Sequence, residues 1–162
     1  SSKEALFARV LARRDQDDFV GVMGGGAIED PWELLEAFVA LVAHNEAHRD
    51  LVAIYTATVM SVLDAEHPAH QWFAAHLTAS VTMIEDALER GKEAGTVRPE
   101  APSRVIARSV VALSDGLQIQ WLCSTTPGSA ADRRLDATMV SEMRLFVDGL
   151  REQWRIGADA RG

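Results

Sequence analysis

Five histidines give this 162-residue chain its clearest capacity for chemistry, because imidazole binds metal ions and transfers protons near neutral pH. His44 and His48 are four residues apart, so on a helix their side chains lie on one face and could share one metal ion. His70 and His76 follow, while His67 begins a helix, where a surface or end-cap role is expected. The sequence has no Glu-x-x-His pair, which argues against a ferritin-like di-iron site. A helical-bundle enzyme or metal-binding protein that uses this histidine cluster is therefore the alternative hypothesis.

The remaining motifs argue against catalysis. Gly24-Gly25-Gly26 is not followed by Lys and Ser or Thr, as a phosphate-binding loop requires, so it is interpreted as a flexible connector. Cys123 is the only cysteine, which excludes an internal disulfide. Its neighbours Trp121 and Leu122 favour a buried thiol that packs as a small hydrophobe. We therefore expect no enzyme activity, no catalytic residues, no metal and no cofactor.

Asp115 is the one acidic residue in the middle of the most apolar segment of the chain. It could pair with an arginine, accept a hydrogen bond from a neighbouring backbone group or contact a ligand. Because a buried polar group without a partner is costly, we favour a structural hydrogen bond.

Composition and charge restrict the class of protein. The length fits one domain, and a hydrophobic content of 48% is typical of a globular chain. The formal net charge of −8 disfavours nucleic-acid binding by these residues alone, because neutralising phosphates requires clustered Lys and Arg. No signal peptide and no apolar run long enough to cross a bilayer is evident, so we expect a soluble, cytoplasmic protein without a membrane partner.

Apolar residues recur every three or four positions along almost the whole chain, a pattern typical of amphipathic α-helices. The pattern predicts an all-α protein, a bundle of six helices at about residues 3–19, 31–46, 51–65, 69–94, 103–122 and 132–156. A glycine-rich loop covers residues 21–26 and a turn-rich loop residues 125–130.

Several residues mark the predicted helix ends. Asp30 is the expected N-cap of the second helix, with Pro31 at the first helical position. Pro68 is expected to stop the third helix, because the residue before proline avoids helical geometry. Gly95 is expected at the left-handed position after the fourth helix, and Ser103 is the expected cap of the fifth.

Four stretches of the chain resemble one family of bacterial proteins. They are Ser1-Ser2-Lys3-Glu4-Ala5-Leu6-Phe7; Glu66-His67-Pro68-Ala69-His70 with Trp72-Phe73; Ala87-Leu88-Glu89-Arg90-Gly91 with Ala94-Gly95 and Arg98-Pro99; and Ala112-Leu113, Asp115-Gly116-Leu117-Gln118 and Gln120-Trp121-Leu122. In this order and spacing they resemble the TetR (tetracycline repressor-like) family of transcription regulators over residues 1–122.

This resemblance implies an organisation. Residues 1–20 would form the helix that connects an absent N-terminal helix-turn-helix domain to residues 21–162, the ligand-binding and dimerisation domain. The last two helices of each subunit would form a dimeric four-helix bundle. A small apolar or amphipathic ligand in the helical core would shift the first helix and release operator DNA, which is bound only through the missing domain.

Two sets of candidate residues follow from the resemblance and from the apolar pattern. The candidate ligand-binding residues are Phe38, Tyr55, Phe73, His76, Ser80, Met83, Gln118 and Trp121. The candidate residues of the homodimer interface are Leu117, Met139, Met143, Phe146 and Leu150. For each residue, ordinary packing within one subunit is the competing interpretation, and an interaction module without a pocket is a third hypothesis for the whole chain.

Overall fold

The computed structural model describes residues 28–62, 64–124 and 138–157. These residues form five α-helices and no β-strand, which confirms the all-α prediction. The helices are α1 (Pro31–Glu46), α2 (Arg49–Ser61), α3 (His70–Glu93), α4 (Ser103–Ser124) and α5 (Met139–Trp154). The helix predicted at residues 3–19 and the glycine-rich loop lie outside the described residues. Within the described part of the chain, no helix combines the length and apolar character needed to cross a lipid bilayer.

The start of α1 is the best-predicted helix end. Asp30 lies in the extended N-cap position, and its Oδ1 accepts hydrogen bonds from the backbone N–H groups of Trp32 (2.8 Å) and Glu33 (3.0 Å). Pro31 occupies the first helical position, where its missing N–H leaves no unsatisfied donor. The local sequence therefore supplies the cap at this end of the bundle.

The C-terminus of α3 also ends as predicted. Gly95 has a positive φ of 69°, a conformation that glycine adopts without steric cost. The Thr96 N–H donates to the Gly91 carbonyl at 2.8 Å, and the Gly95 N–H donates to the Lys92 carbonyl at 3.0 Å. This pair of bonds is a Schellman motif, which satisfies two carbonyl groups at the helix end.

Three other helix ends differ from prediction. α2 ends at Ser61, well before Pro68, and the described residues between them form turns and bends. α4 begins at Ser103 itself, so this serine lies in the first turn and is not the preceding cap. α5 begins at Met139, seven residues after the predicted start, because Thr138 is extended and forms a reciprocal capping box with Ser141.

The helices pack around one main hydrophobic core. α1 packs chiefly against α5 and α3, and α4 packs chiefly against α3. Burying each large apolar side chain contributes about 1.5–3 kcal/mol to folding. The largest side chains with almost no exposed surface include Leu34, Leu35, Val39 and Val42 of α1, Ile84 and Leu88 of α3, Val110 of α4, and Met139 and Met143 of α5.

The end of α5 is tied to the loop between α3 and α4. The Arg98 N–H donates to the Trp154 carbonyl at 2.9 Å, and the Ile156 N–H donates to the Thr96 carbonyl at 3.0 Å. Trp32 is buried, and its indole N–H reaches the same Thr96 carbonyl at 3.4 Å. One loop therefore holds the starts of α1 and α4 and the end of α5 together.

We expect Gly91→Ala to destabilise this junction. The added methyl group would lie 2.6 Å from Val97 Cγ2 and 2.9 Å from Pro31 Cγ, so backbone or side chains must shift. The expected loss is about 1–3 kcal/mol in the free energy of unfolding, measured by urea denaturation. The control is Gly149→Ala in α5, where an added Cβ meets no described atom within 4 Å. It should stabilise the protein by about 0.5–1 kcal/mol. Equal effects of the two substitutions would contradict the close approach at Gly91.

Candidate functional site

A cavity of about 130 Å³ lies between α1, α2, α3 and α4. All four helices contribute to its wall, and apolar surface exceeds polar surface there. Its lining residues are Phe38, Leu41, Asn45, Val52, Tyr55, His76, Leu77, Ser80, Met83, Val111, Ser114, Asp115 and Gln118. Largely apolar walls with a few polar groups are typical of small-molecule sites.

The helical repeat explains why these residues meet. α1 contributes Phe38, Leu41 and Asn45, which are three and four residues apart and so lie on one helix face. α4 contributes a similar face that includes Val111 and Gln118. α1, α3 and α4 each bury residues in the main core, and the cavity forms where adjoining faces of these helices meet α2.

Six of the eight predicted ligand-binding residues line this cavity. They are Phe38, Tyr55, His76, Ser80, Met83 and Gln118. The structure therefore brings them together, and their role in binding a ligand stays a prediction.

The other two predicted residues lie elsewhere. Phe73 belongs to a separate apolar cluster with Val62 and Ala69, at the start of α3. Trp121 is half-buried, and the Arg49 guanidinium lies 5.6 Å from the centre of its ring. Arg49 also donates to the Leu122 carbonyl at 2.9 Å, so this contact joins the start of α2 to the end of α4.

Seven lining residues were not among the predicted ligand-binding residues. Their positions share the helical spacing of the predicted ones, but the same spacing also marks core residues, so periodicity alone could not select them. They are Leu41, Asn45, Val52, Leu77, Val111, Ser114 and Asp115.

Aromatic rings join the cavity to the second apolar cluster. The Tyr55 and Phe73 ring centres are 6.3 Å apart, and the Phe73 and His76 ring centres are also 6.3 Å apart. Trp72 stacks on His76 at 5.4 Å. Rings packed in this way hold one another in place, so this wall of the cavity is defined by side chains from both α2 and α3.

Asp115 is a half-buried carboxylate in the cavity wall. The structural hydrogen bond expected for it is not found, because among the described residues its carboxylate neither accepts a hydrogen bond nor forms an ion pair. Burial disfavours its charged form and raises the pKa of Asp115 to about 6. The cavity therefore holds an acid whose charge changes just below neutral pH.

The remaining histidines serve local structure. His44 and His48 stack with ring centres 4.3 Å apart, and His48 Nδ1 lies 2.7 Å from the His44 carbonyl oxygen. His67 Nδ1 accepts a hydrogen bond from the Ala69 N–H at 3.1 Å, in the turn that precedes α3. His70 Nδ1 lies 2.7 Å from the Val62 carbonyl oxygen. In the ranges that the structure describes, no three His, Cys, Asp or Glu side chains converge on a possible metal position.

Two sets of burial predictions need correction. Cys123 is exposed, so the expectation of a buried thiol is wrong. Of the five predicted interface residues, Leu117, Met139 and Met143 are buried in the core of this chain, so their side chains present no surface to a partner. Phe146 and Leu150 are half-buried and pack against the same core. A homodimer stays a prediction, in which Phe146 and Leu150 keep partly exposed side chains that a partner could contact.

Comparison of the chain with models of protein families, with curated proteins and with solved structures gave no match. The assignment of function therefore depends on the cavity and on the sequence itself.

The raised pKa of Asp115 predicts a pH dependence of stability. The folded state binds a proton at this group more readily than the unfolded chain, whose reference pKa is 3.8. The ionised carboxylate therefore destabilises the fold above pH 6, and this cost disappears as the pH falls from about 6 to 4. Asp115→Asn should raise the free energy of unfolding at pH 7.5 by up to about 3 kcal/mol.

Urea denaturation of both proteins between pH 4 and 8 measures this effect. Other carboxylates titrate in both proteins, so the quantity of interest is the difference between them. That difference should shrink toward zero at pH 4. A constant difference across the range would show that Asp115 titrates normally.

Proposed function

We propose that this chain is the ligand-sensing and dimerising domain of a TetR-like transcriptional regulator, most simply a repressor. The observation that carries the proposal is the cavity between four helices, with its largely apolar walls and convergent polar groups. The resemblance over residues 1–122 supplies the family hypothesis, and the all-α fold is compatible with it. Operator binding would require a helix-turn-helix domain in addition to these residues.

The size and chemistry of the cavity favour a small amphipathic ligand. A volume of about 130 Å³ is close to the roughly 150 Å³ of an engineered apolar cavity that holds benzene. Phe38, Leu41 and Val52 provide apolar contact, whereas Asn45 and Gln118 carry amide groups that can both donate and accept hydrogen bonds. A ligand with a single ring and one polar substituent would fit this combination of apolar side chains and amide groups.

α4 connects the cavity to a surface suited to a second subunit. One face of α4 carries cavity residues such as Ser114 and Gln118, while Val105 and Ile119 are exposed elsewhere on the same helix. α5 exposes Leu145, at 75% the most exposed large hydrophobic residue described. Exposed apolar side chains on two helices in contact are typical of a protein interface.

This arrangement supplies a physical basis for regulation. A ligand that contacts both α1 and α4 biases their relative position, and α4 would carry that change to the partner subunit. The effect is allosteric if the ligand and the operator favour different states of the dimer. The element that couples the two sites is then α4, which has one face at the cavity and another at the proposed subunit interface.

The cavity is tested by Ser80→Leu, which should abolish ligand binding by filling the space. The probes are ring-sized compounds: benzyl alcohol, benzylamine and benzoate. A compound at ten times its Kd stabilises the native state by about 1.4 kcal/mol. For a chain of this size, the Tm then rises by roughly 3–6 °C in a thermal-shift assay.

Thr78→Leu is a matched control on the same helix. The Ser80 hydroxyl donates to the His76 carbonyl at 3.0 Å, and the Thr78 hydroxyl donates to the Ala74 carbonyl at 2.8 Å. Both substitutions therefore remove the same kind of bond, but Thr78 is exposed outside the cavity. The control should keep the thermal shift. A shift that survives Ser80→Leu would place the ligand elsewhere.

The dimer is tested by Leu145→Glu. A charge at the centre of an apolar interface should raise the dimer dissociation constant at least tenfold, since burial of one such side chain contributes about 1.5–3 kcal/mol. Sedimentation equilibrium measures the constant. Gln71→Glu makes the same change in charge at an exposed position of α3 and should leave it unchanged. A monomeric parent protein, or a dimer indifferent to Leu145→Glu, would contradict the proposed interface.

A further inference from the structure

We propose that the cavity selects a small monocationic ligand, a protonated amine that carries one ring, through an ionic contact with Asp115. This inference rests on the proposed function, because it takes the cavity to be a ligand site. It adds the charge class of the ligand, which neither the family resemblance nor the apolar pattern provides.

The charges around the cavity carry the argument. Asp115 is the acidic residue in the wall, and no Lys or Arg is among the described lining residues. Arg49, at the start of α2, is not among the lining residues; its guanidinium donates to the Leu122 carbonyl and lies 5.6 Å from the centre of the Trp121 ring. A partly desolvated carboxylate is stabilised most by a ligand that carries a positive charge, because such a ligand can form the ion pair that the wall does not provide.

Among the described residues, Asp115 forms no ion pair with the other titratable groups that line the cavity. α2 contributes Tyr55 and α3 contributes His76, whereas α1 contributes apolar side chains and the neutral Asn45. Tyr55 and His76 have their own contacts in the aromatic row with Phe73. The negative charge at neutral pH is therefore concentrated on one residue of α4.

Aromatic residues in the wall suit the same class of ligand. Phe38 on α1 and Tyr55 on α2 line the same cavity as Asp115 on α4. Ring faces attract cations electrostatically, and aromatic walls with an acidic group are a common way to hold an alkylammonium. An anionic ligand would meet repulsion from Asp115, and a neutral ligand would leave its carboxylate uncompensated.

The proton equilibrium of Asp115 makes the preference depend on pH. Burial raises the pKa of Asp115 to about 6, so the carboxyl is almost fully ionised at pH 7.5 and about one-tenth ionised at pH 5. An amine with a pKa above 9 is charged at both values. Its affinity should therefore fall about tenfold between pH 7.5 and pH 5.

The test uses three probes that differ mainly in charge: benzylamine, benzyl alcohol and benzoate. Isothermal titration calorimetry on the full chain at pH 7.5 should show benzylamine binding at least tenfold more tightly than benzyl alcohol, with benzoate weakest. Asp115→Asn keeps the shape of the side chain and should remove the benzylamine advantage, measured as the ratio of the benzylamine and benzyl alcohol affinities in the same variant. The pH dependence should disappear in the same variant, which separates Asp115 from His76.

The control variant is Asp86→Asn, an equal change of charge at an exposed position of α3. It should keep the preference for benzylamine, which would exclude a general effect of net charge. Binding of benzyl alcohol without any advantage for benzylamine would overturn this inference and leave the proposed ligand site standing. An advantage that survives Asp115→Asn would also overturn it. If none of the three probes binds, both the inference and the proposed ligand site fail.

Discussion

The packing of α1 is the constraint on which the rest of the structure depends. One face of α1, with Leu34, Leu35 and Val42, is buried against α5 and α3, and this contact forms the centre of the main core. Its start is fixed by the Asp30 cap and by the close approach of Pro31 to Gly91. With α1 held in this way, its face with Phe38 and Asn45 has to lie toward α2 and α4, and the cavity follows from that placement.

α4 shows how one helix can serve two purposes. One face packs in the core through Ile106 and Val110, while Val105 and Ile119 stay exposed. The polar residues of its middle turns, Ser114 among them, lie on the cavity wall. A movement of α4 that starts at the cavity therefore also moves its exposed face, because both faces belong to one helix and no loop lies between them.

Local sequence signals correctly predicted the helix ends that depend on neighbouring residues, such as the Asp30 cap and the left-handed Gly95.

The sequence did not predict the burial of side chains that depends on contacts between helices. Met139 and Met143 form an apolar seam that has the same spacing whether it packs within one chain or between two, and only the position of α1 shows that it is internal. The exposure of Cys123 likewise depends on the rotation of α4 about its axis, which the apolar neighbours Trp121 and Leu122 did not reveal. The six cavity residues were predicted as large or polar groups facing inward, but the empty space between them comes from packing and could not be predicted.

Asp115 connects stability with the proposed function. Placing an ionisable carboxylate in a cavity wall disfavours the folded state at neutral pH, since the charge loses water and gains no partner among the described residues. A core built for stability alone would carry an apolar or amide side chain at this position. In a sensing domain the same cost is useful, because a ligand that compensates the charge stabilises only the state in which the cavity is formed. The strength of the response then depends on how poorly Asp115 is satisfied before the ligand binds, together with the affinity and the concentration of the ligand.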